Sequence, residues 1–381
     1  MNIIDFANEL EEKYIKALID FCNIESPTLN KEGVDKSGEF IVNMAKELGF
    51  ETEIHIEEVS GNAWCITMNP DAKGAPIALS GHLDTVHPVG LFGYPPTKIQ
   101  GDKIIGPGVC DCKGGVVASL YAMEILSKVG FNGRPVILLL QSDEENSSVT
   151  SNKRTVQFMC EKAKDAVAFI NCEGHDLGKI IVKRKGIIRY KLEVTGKAAH
   201  SSRCYLGASA ITEAAHIILE LEKYKDEDGI TCNCGVISGG TVANTVAEKC
   251  SIIADFRFAD EDDLEEIKRI VDEVSKKQYV SQTSCEYSLV SFRNAMALCD
   301  RNIELFNKIN DAYEKNGYGK AEMWIGAGGS DAADVTVFGI PCVDCLGIAG
   351  DNIHSKDEFA YLNDLKTAAL RLTYIIKDIE C

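Results

Sequence analysis

Positive charge is what this chain has too little of. Lys and Arg number 40 against 58 Asp and Glu, a formal net charge of −18. Nucleic acids and anionic membrane surfaces are bound through basic patches, so this balance argues against both as partners. Long hydrophobic runs are missing as well: no stretch approaches the ~18 apolar residues of a membrane span. Met1–Tyr14 is acidic and amphipathic, lacking the basic start and apolar centre of a secretion leader. Internal repeats and low-complexity segments are absent. Cysteine is plentiful, at 15, but it is scattered along a long chain with no visible leader. That points to reduced thiols in a cytoplasmic protein, not to a disulfide framework. The close pairs Cys110/Cys112 and Cys232/Cys234 lack the two-residue gap and second pair of a zinc ribbon.

What is present is a large apolar fraction, 45% of 381 residues, enough for a substantial core in roughly two or three domains of ~150 residues. The chain is organised around Pro76–Pro88, PIALSGHLDTVHP. A short apolar run, Pro76–Ser80, reads as a buried strand and stops at Ser80-Gly81. His82 and Asp84 follow two apart, on one face of an extended segment, as a metal ligand and the carboxylate that orients it. The layout recurs. Pro135–Ser142 empties into Asp143, Glu144 and Glu145, and Asp165–Asn171 into Cys172, Glu173 and Gly174. Open α/β sheets bind ligands beyond the carboxyl ends of their strands, so one site fed by three strand tips is expected.

Along the chain, helices are expected at Asp5–Phe21, Lys31–Leu48, Gly114–Leu126 and Thr155–Lys164, with a strand at Glu51–Glu57 and another at Ala63–Met68. Pro88–Gly108 reads as loop. Gly106–Gly115, GPGVCDCKGG, has neither the Rossmann nor the P-loop spacing, so a dinucleotide site there is not favoured; its notable residue is Asp111. From about Lys185 the pattern changes to strands at Ile187–Thr195, Thr231–Ser238, Lys249–Phe258 and Ser284–Val290, with helices at Leu206–Tyr224 and Glu261–Lys277. These make a small α/β sandwich inserted into a larger α/β domain. The expected division is 1–184 and 294–381 for the larger domain and 185–293 for the insertion. A helix at Asn302–Asn316, a Gly-rich loop Gly326–Gly329, a strand near Pro341–Leu346 and a last helix Leu362–Ile379 complete it.

His354 lies in a polar loop, DNIHSKDEF, where a lone His is ordinary surface. Its interest comes from company: His82, Asp111, Glu145, Glu173 and His354 supply two imidazoles and three carboxylates. Such a set, with one carboxylate bridging, holds two divalent ions about 3.5–4 Å apart. Nitrogen and oxygen donors without thiolate suit zinc, or cobalt or manganese. Adjacent Glu144 and Glu145 cannot share a position, so one is free to ligate and the other to accept a proton. An isolated acidic triplet would be a solvated turn; at a strand's carboxyl end the site reading is stronger.

The segments SGHLDTV, GPGVCDCKGG, QSDEE, NCEG, GKAAHS, GGTVANTVAEKCSIIADFR, GGSDAA and NIHSKDEF, in this order, resemble one family over essentially the whole chain. It is the co-catalytic zinc exopeptidases and deacylases: glutamate carboxypeptidase, acetylornithine deacetylase, succinyl-diaminopimelate desuccinylase, aminoacylase and tripeptidase. The resemblance implies a zinc-exopeptidase-like catalytic domain, a central mixed sheet flanked by helices, with the insertion as a lid and dimerisation domain. His82 and Glu173 would bind one metal, Glu145 and His354 the other, and Asp111 both. Asp84 would orient His82. Glu144 would be the general base, drawing the proton from a metal-bridged water that attacks an amide carbonyl. A cis peptide is implied at Asp111-Cys112, where Cys replaces the commoner Met. His200 would reach a partner's site in a homodimer and stabilise the oxyanion. Asn244 and Arg257 would contact the substrate, with Gly328, Gly329 and Ser330 along its carboxylate side.

These expectations describe a di-zinc hydrolase that cuts an amide next to a free carboxylate in a small peptide or N-acyl amino acid. Glu at position 173 resembles the carboxypeptidase and deacylase branches, which favours a carboxypeptidase-like exopeptidase. An N-acyl-amino-acid deacylase is the alternative within the family. A metal-binding protein without catalysis is the alternative outside it, and Glu144 at the base position argues against that one.

Overall fold

The computed structural model describes residues 1–174, 177–326 and 328–379. Two helices come first, α1 (Ile3–Cys22) and α2 (Lys31–Glu47). Strands β1 (Glu51–His55), β2 (Ala63–Met68) and β3 (Ile77–His82) follow, then β4 (Lys98–Gln100) and β5 (Lys103–Ile105). Next are α3 (Lys113–Lys128), β6 (Val136–Gln141), α4 (Arg154–Ala163), β7 (Ala168–Asn171) and β8 (Lys179–Arg184). The middle of the chain holds β9 (Gly186–Thr195), α5 (Ala210–Leu221), β10 (Thr231–Gly239), β11 (Lys249–Phe258), α6 (Glu261–Lys276) and β12 (Ser284–Arg293). The last part holds α7 (Asp300–Lys315), β13 (Glu322–Gly326), α8 (Ala332–Val337), β14 (Cys342–Val343), β15 (Gly350–Asp351), β16 (Phe359–Tyr361) and α9 (Asp364–Asp378).

The chain forms two compact units. One comprises Met1–Lys183, Leu298–Gly326 and the residues from Ser330 onward; the other comprises Arg184–Ala297 with Gly328 and Gly329. In the first, a mixed sheet runs β1-β2-β6-β3-β7-β14. Strands β6, β3, β7 and β14 are parallel, while β1 and β2 are antiparallel additions. Every residue of β3, β6 and β7 is buried. Helices cover a parallel sheet on its faces, so its strands are continuously apolar instead of alternating. Helix α3 is buried from Lys113 to Leu126, packed against α1, α9 and β3. The pairing places the three strand ends level: His82 lies opposite Gln141, and Ser80 opposite Asn171. The chain therefore delivers His82, Glu144, Glu145 and Glu173 to one edge of the sheet.

The second unit is an antiparallel sheet, β10-β11-β9-β12. Helices α5 and α6 pack on it through Ala214, Ile217, Ile267 and Val271 against Leu192, Ile252 and Phe256. Asp260 caps α6 by accepting from the Asp263 amide, and Glu261, Asp262 and Asp263 fill the first turn. Both features complement the free amides and positive dipole end of that terminus.

Three expectations are corrected. Pro88–Gly108 is not all loop: β4 and β5 form a hairpin there, and β5 pairs with β16. Strands of three residues whose partner comes from the far end of the chain leave no alternation to read. The strand near Pro341–Leu346 is only Cys342–Val343, paired with β7. The helix expected from Leu206 starts at Ala210, because Ser209 caps it and Ser201–Leu206 forms its own short turn.

One contact decides how closely α3 approaches the sheet. A Cβ placed on Gly115 would lie 1.8 Å from the Cys172 carbonyl oxygen, beside Glu173. Gly115→Ala is expected to destabilise the protein by at least about 1–3 kcal/mol. A thermal melt checks this, and an unchanged midpoint would show that the helix can move away at little cost.

Candidate metal centre

His82 is the last residue of β3 and is 1% exposed. Its Nδ1 lies 2.9 Å from the backbone carbonyl of Asp84. A carbonyl only accepts, so Nδ1 carries a proton, and in the neutral ring the Nε2 lone pair is the free ligand atom. That Nε2 is 3.0 Å from Asp111 Oδ1 and 3.6 Å from Glu173 Oε2. The Asp84 carboxylate is slightly farther from the ring, at 3.4 Å. It also accepts from the amides of Glu144 and Glu145, each at 3.2 Å, and from the Thr28 hydroxyl at 2.7 Å. Asp84 thus joins the His82 loop to the turn bearing both glutamates.

Asp111 sits just before α3, and its peptide to Cys112 is cis. Its other oxygen, Oδ2, is 3.1 Å from His354 Nε2, which is itself 3.2 Å from Glu145 Oε2. One carboxylate therefore faces a different imidazole with each oxygen. His354 has φ +61, a left-handed conformation costing a non-glycine residue of order 1–3 kcal/mol and typical of functional turns.

The electrostatics describe a cluster short of positive charge. Burial pushes Glu145 up to about 8 and Glu173 up to about 7, against the pull of His354 and His82, with Asp111 and Glu144 adding repulsion to each. Burial opposes ionisation of Asp111 too, but hydrogen bonds from His354 and His82 outweigh it and hold the carboxyl well below its usual range. Hydrogen bonds to Asp111 and Glu145 raise His354 to about 10. A divalent cation among these carboxylates would offset the same repulsion. His82, Asp111 and Glu145 can bring ligand atoms within 4.8 Å of one another, as can His82, Cys112 and Glu173. The residues fit a metal.

Several supporting residues have partners that the sequence does not reveal. Cys112 Sγ accepts from the His82 amide at 2.9 Å. Asn171 takes up Ser80, Ser330 and Asp344 side chains. Lys113 is fully buried, its ammonium donating to the Ile24 and Phe21 carbonyls at 2.6 and 3.3 Å; burial pulls it down to about 8. Glu358 is also fully buried, among backbone amides. All four lie inside the motifs noted above, but their partners lie too far along the chain to infer.

The remaining candidates divide between the units. Ser330, in the first, is 1% exposed, and its hydroxyl accepts from Asn171 at 2.8 Å. In the second unit, His200 is exposed and its Nδ1 accepts from the Ser202 amide at 3.2 Å. The neutral ring then carries its proton on Nε2, a donor for an oxyanion. The Asn244 carbonyl accepts from the Ser201 amide at 2.9 Å. Arg257 gives its Nε to Asp255 at 2.8 Å, an ion pair within one strand. Gly328 accepts from Arg184 at 3.1 Å, and a Cβ on Gly329 would meet Arg293 Cδ at 2.6 Å. Residue 327 of the Gly-rich loop lies outside the described residues.

The sequence model of peptidase family M20/M25/M40 matches residues 78–378. The chain belongs to that family. It is a hydrolase of the metallo-exopeptidase and deacylase kind. Carboxypeptidase G2 of Pseudomonas sp. (strain RS-16) is 25% identical over 98% of this chain and 91% of its own. Succinyl-diaminopimelate desuccinylase of Rickettsia bellii (strain RML369-C) is 26% identical over 93% and 92%. The fold is shared with the aminopeptidase PepT of Bacillus cereus ATCC 10987, at TM-score 0.80 and 20% identity over 97% of this chain and 98% of that one. Among the described residues no helix is long and apolar enough to cross a membrane. In this M20 hydrolase, Asp84→Asn would turn an amide donor toward either the Glu144 amide or the Glu145 amide and Thr28 hydroxyl. Turnover is expected to fall ~10–100-fold; wild-type kinetics in the folded variant would remove Asp84 from the site.

Proposed function

We propose that the protein is a metal-dependent hydrolase that cleaves an amide bond next to a free carboxylate, acting as a carboxypeptidase-like exopeptidase. The observation that carries the reading is Asp111, whose two oxygens face His82 and His354 at 3.0 and 3.1 Å. It supports a pair of cations, with His82 and Glu173 holding one, Glu145 and His354 the other, and Asp111 both. Zinc suits these donors, with cobalt or manganese as substitutes. When bound, such a pair polarises a carbonyl and lowers the pKa of water.

The chain's own groups do the rest. Glu144 is 7% exposed, and its negative charge raises both Glu145 and Glu173, so it stands close to the cluster. It takes a proton from the attacking water and returns it to the leaving nitrogen as the C–N bond breaks. In a homodimer joined through the second unit, the Nε2–H of a partner copy's His200 donates to the developing oxyanion. Arg257 takes the substrate carboxylate on its terminal nitrogens, Asn244 contacts the substrate, and Gly328, Gly329 and Ser330 line the carboxylate side. Every cysteine among the described residues is a free thiol, in keeping with a cytoplasmic setting. An N-acyl-amino-acid deacylase is the second reading, favoured by the full-length likeness to a desuccinylase.

A panel of dipeptides and N-acyl amino acids, with metal-loaded enzyme and chelator controls, separates the two readings. Release of C-terminal residues is expected; exclusive release of acyl groups would favour the second. Glu144→Ala should lose at least ~100-fold in turnover while retaining its metal, and near-normal activity in that variant would rule it out as the base. Mixed Glu144→Ala and His200→Ala subunits should regain activity that neither has alone. None after verified subunit exchange would contradict a His200 acting across subunits.

A further inference from the structure

Glu358 is 0% exposed. A carboxylate in that position would be costly unless all its lone pairs were used. Oε1 accepts from the amides of Cys110 and Asp111 at 2.9 and 3.1 Å, and Oε2 from the amide of Gly108 at 3.3 Å. Oε2 also accepts from His87 Nε2 at 2.6 Å. The backbone carbonyl of Glu358 accepts from the Gly106 amide at 3.3 Å. Gly108 adopts φ +74, which helps turn the loop's amides onto one acceptor.

The donors and the acceptor come from three separate segments. His87 lies five residues after His82, the amides lead into Asp111, and Glu358 lies four residues after His354. One buried carboxylate therefore ties together three of the segments that converge on the candidate metal centre, without reaching the metal position itself. We infer that Glu358 is a positioning residue: its carboxylate fixes the Gly108–Asp111 backbone so that the two Asp111 oxygens meet His82 and His354. The inference rests on the metal-centre reading above. Neutral Gln is nearly isosteric but presents an NH2 group where either an amide or His87 donates, so at least one bond becomes a donor–donor contact. The loop then shifts, and Asp111 with it.

The test is cobalt binding to metal-free protein, followed by calorimetric titration and by the visible absorption of the bound ion, in wild type, E358Q and L372A. Leu372 is a fully buried residue of α9, and its truncation lowers stability through a cavity in an element that supplies no ligand. E358Q is expected to bind cobalt ~10–100-fold more weakly, with an altered absorption spectrum. L372A, at an equal or larger loss of thermal stability, should keep wild-type affinity. Wild-type affinity and spectrum in E358Q would overturn the inference, as would an equal loss in L372A. Should E358Q fail to fold, E358D is read on the same scale. A carboxylate withdrawn by one methylene cannot keep all four bonds, so unchanged cobalt binding there would also overturn it. If the wild type binds no cobalt, the metal-centre reading fails instead.

Discussion

The structure depends on a single carboxylate placed between two imidazoles. Asp111 presents Oδ1 to His82 and Oδ2 to His354, while Glu173 and Glu145 face the same Nε2 atoms of those rings. Three carboxylates this close repel one another, and burial raises the cost. Burial and this repulsion push Glu145 and Glu173 toward their protonated forms. Two cations would remove that conflict, and a fourth acid, Glu144, would remain nearby for proton transfer.

The surrounding fold holds these charges in place. Level ends of β3, β6 and β7 set the spacing, and α3 reaches the sheet closely enough to place Asp111 because Gly115 has no side chain to obstruct it. The N-terminal segment braces the same region: Ser26 donates to the Leu83 carbonyl and Thr28 to Asp84. Lys113 ties the first turn of α3 to the end of α1. These contacts are hydrogen bonds to backbone or to buried carboxylates, which fix position more tightly than apolar packing alone.

Much of this was legible in the sequence, for a physical reason. Fully buried parallel strands are unbroken apolar runs, so the point where each run stops and acids begin is conspicuous. That is how His82, Glu144, Glu145 and Glu173 come to notice. Asp111 and His354 lie in loops with no such boundary; residue chemistry grouped them with the others, and the resemblance over the whole chain gave each its place. The hairpin β4–β5 and its pairing with β16 could not be read, because three-residue strands with distant partners have no pattern of their own. Glu358 was hidden for a related reason: its partners are mostly backbone amides, which every sequence has everywhere. The Asp84 carboxylate lies 3.4 Å from His82 Nδ1 but is not its nearest acceptor. The backbone carbonyl of Asp84 is nearest to the His82 ring, and the carboxylate serves the turn of Glu144 and Glu145.

The most direct test of the central claim is anomalous diffraction from crystals of zinc-loaded protein, recorded on both sides of the zinc absorption edge. Two peaks are predicted, one on either side of the Asp111 carboxylate, one beside His82 and Glu173 and the other beside Glu145 and His354. Two peaks elsewhere, or none near Asp111 in protein shown to contain zinc, would contradict the account.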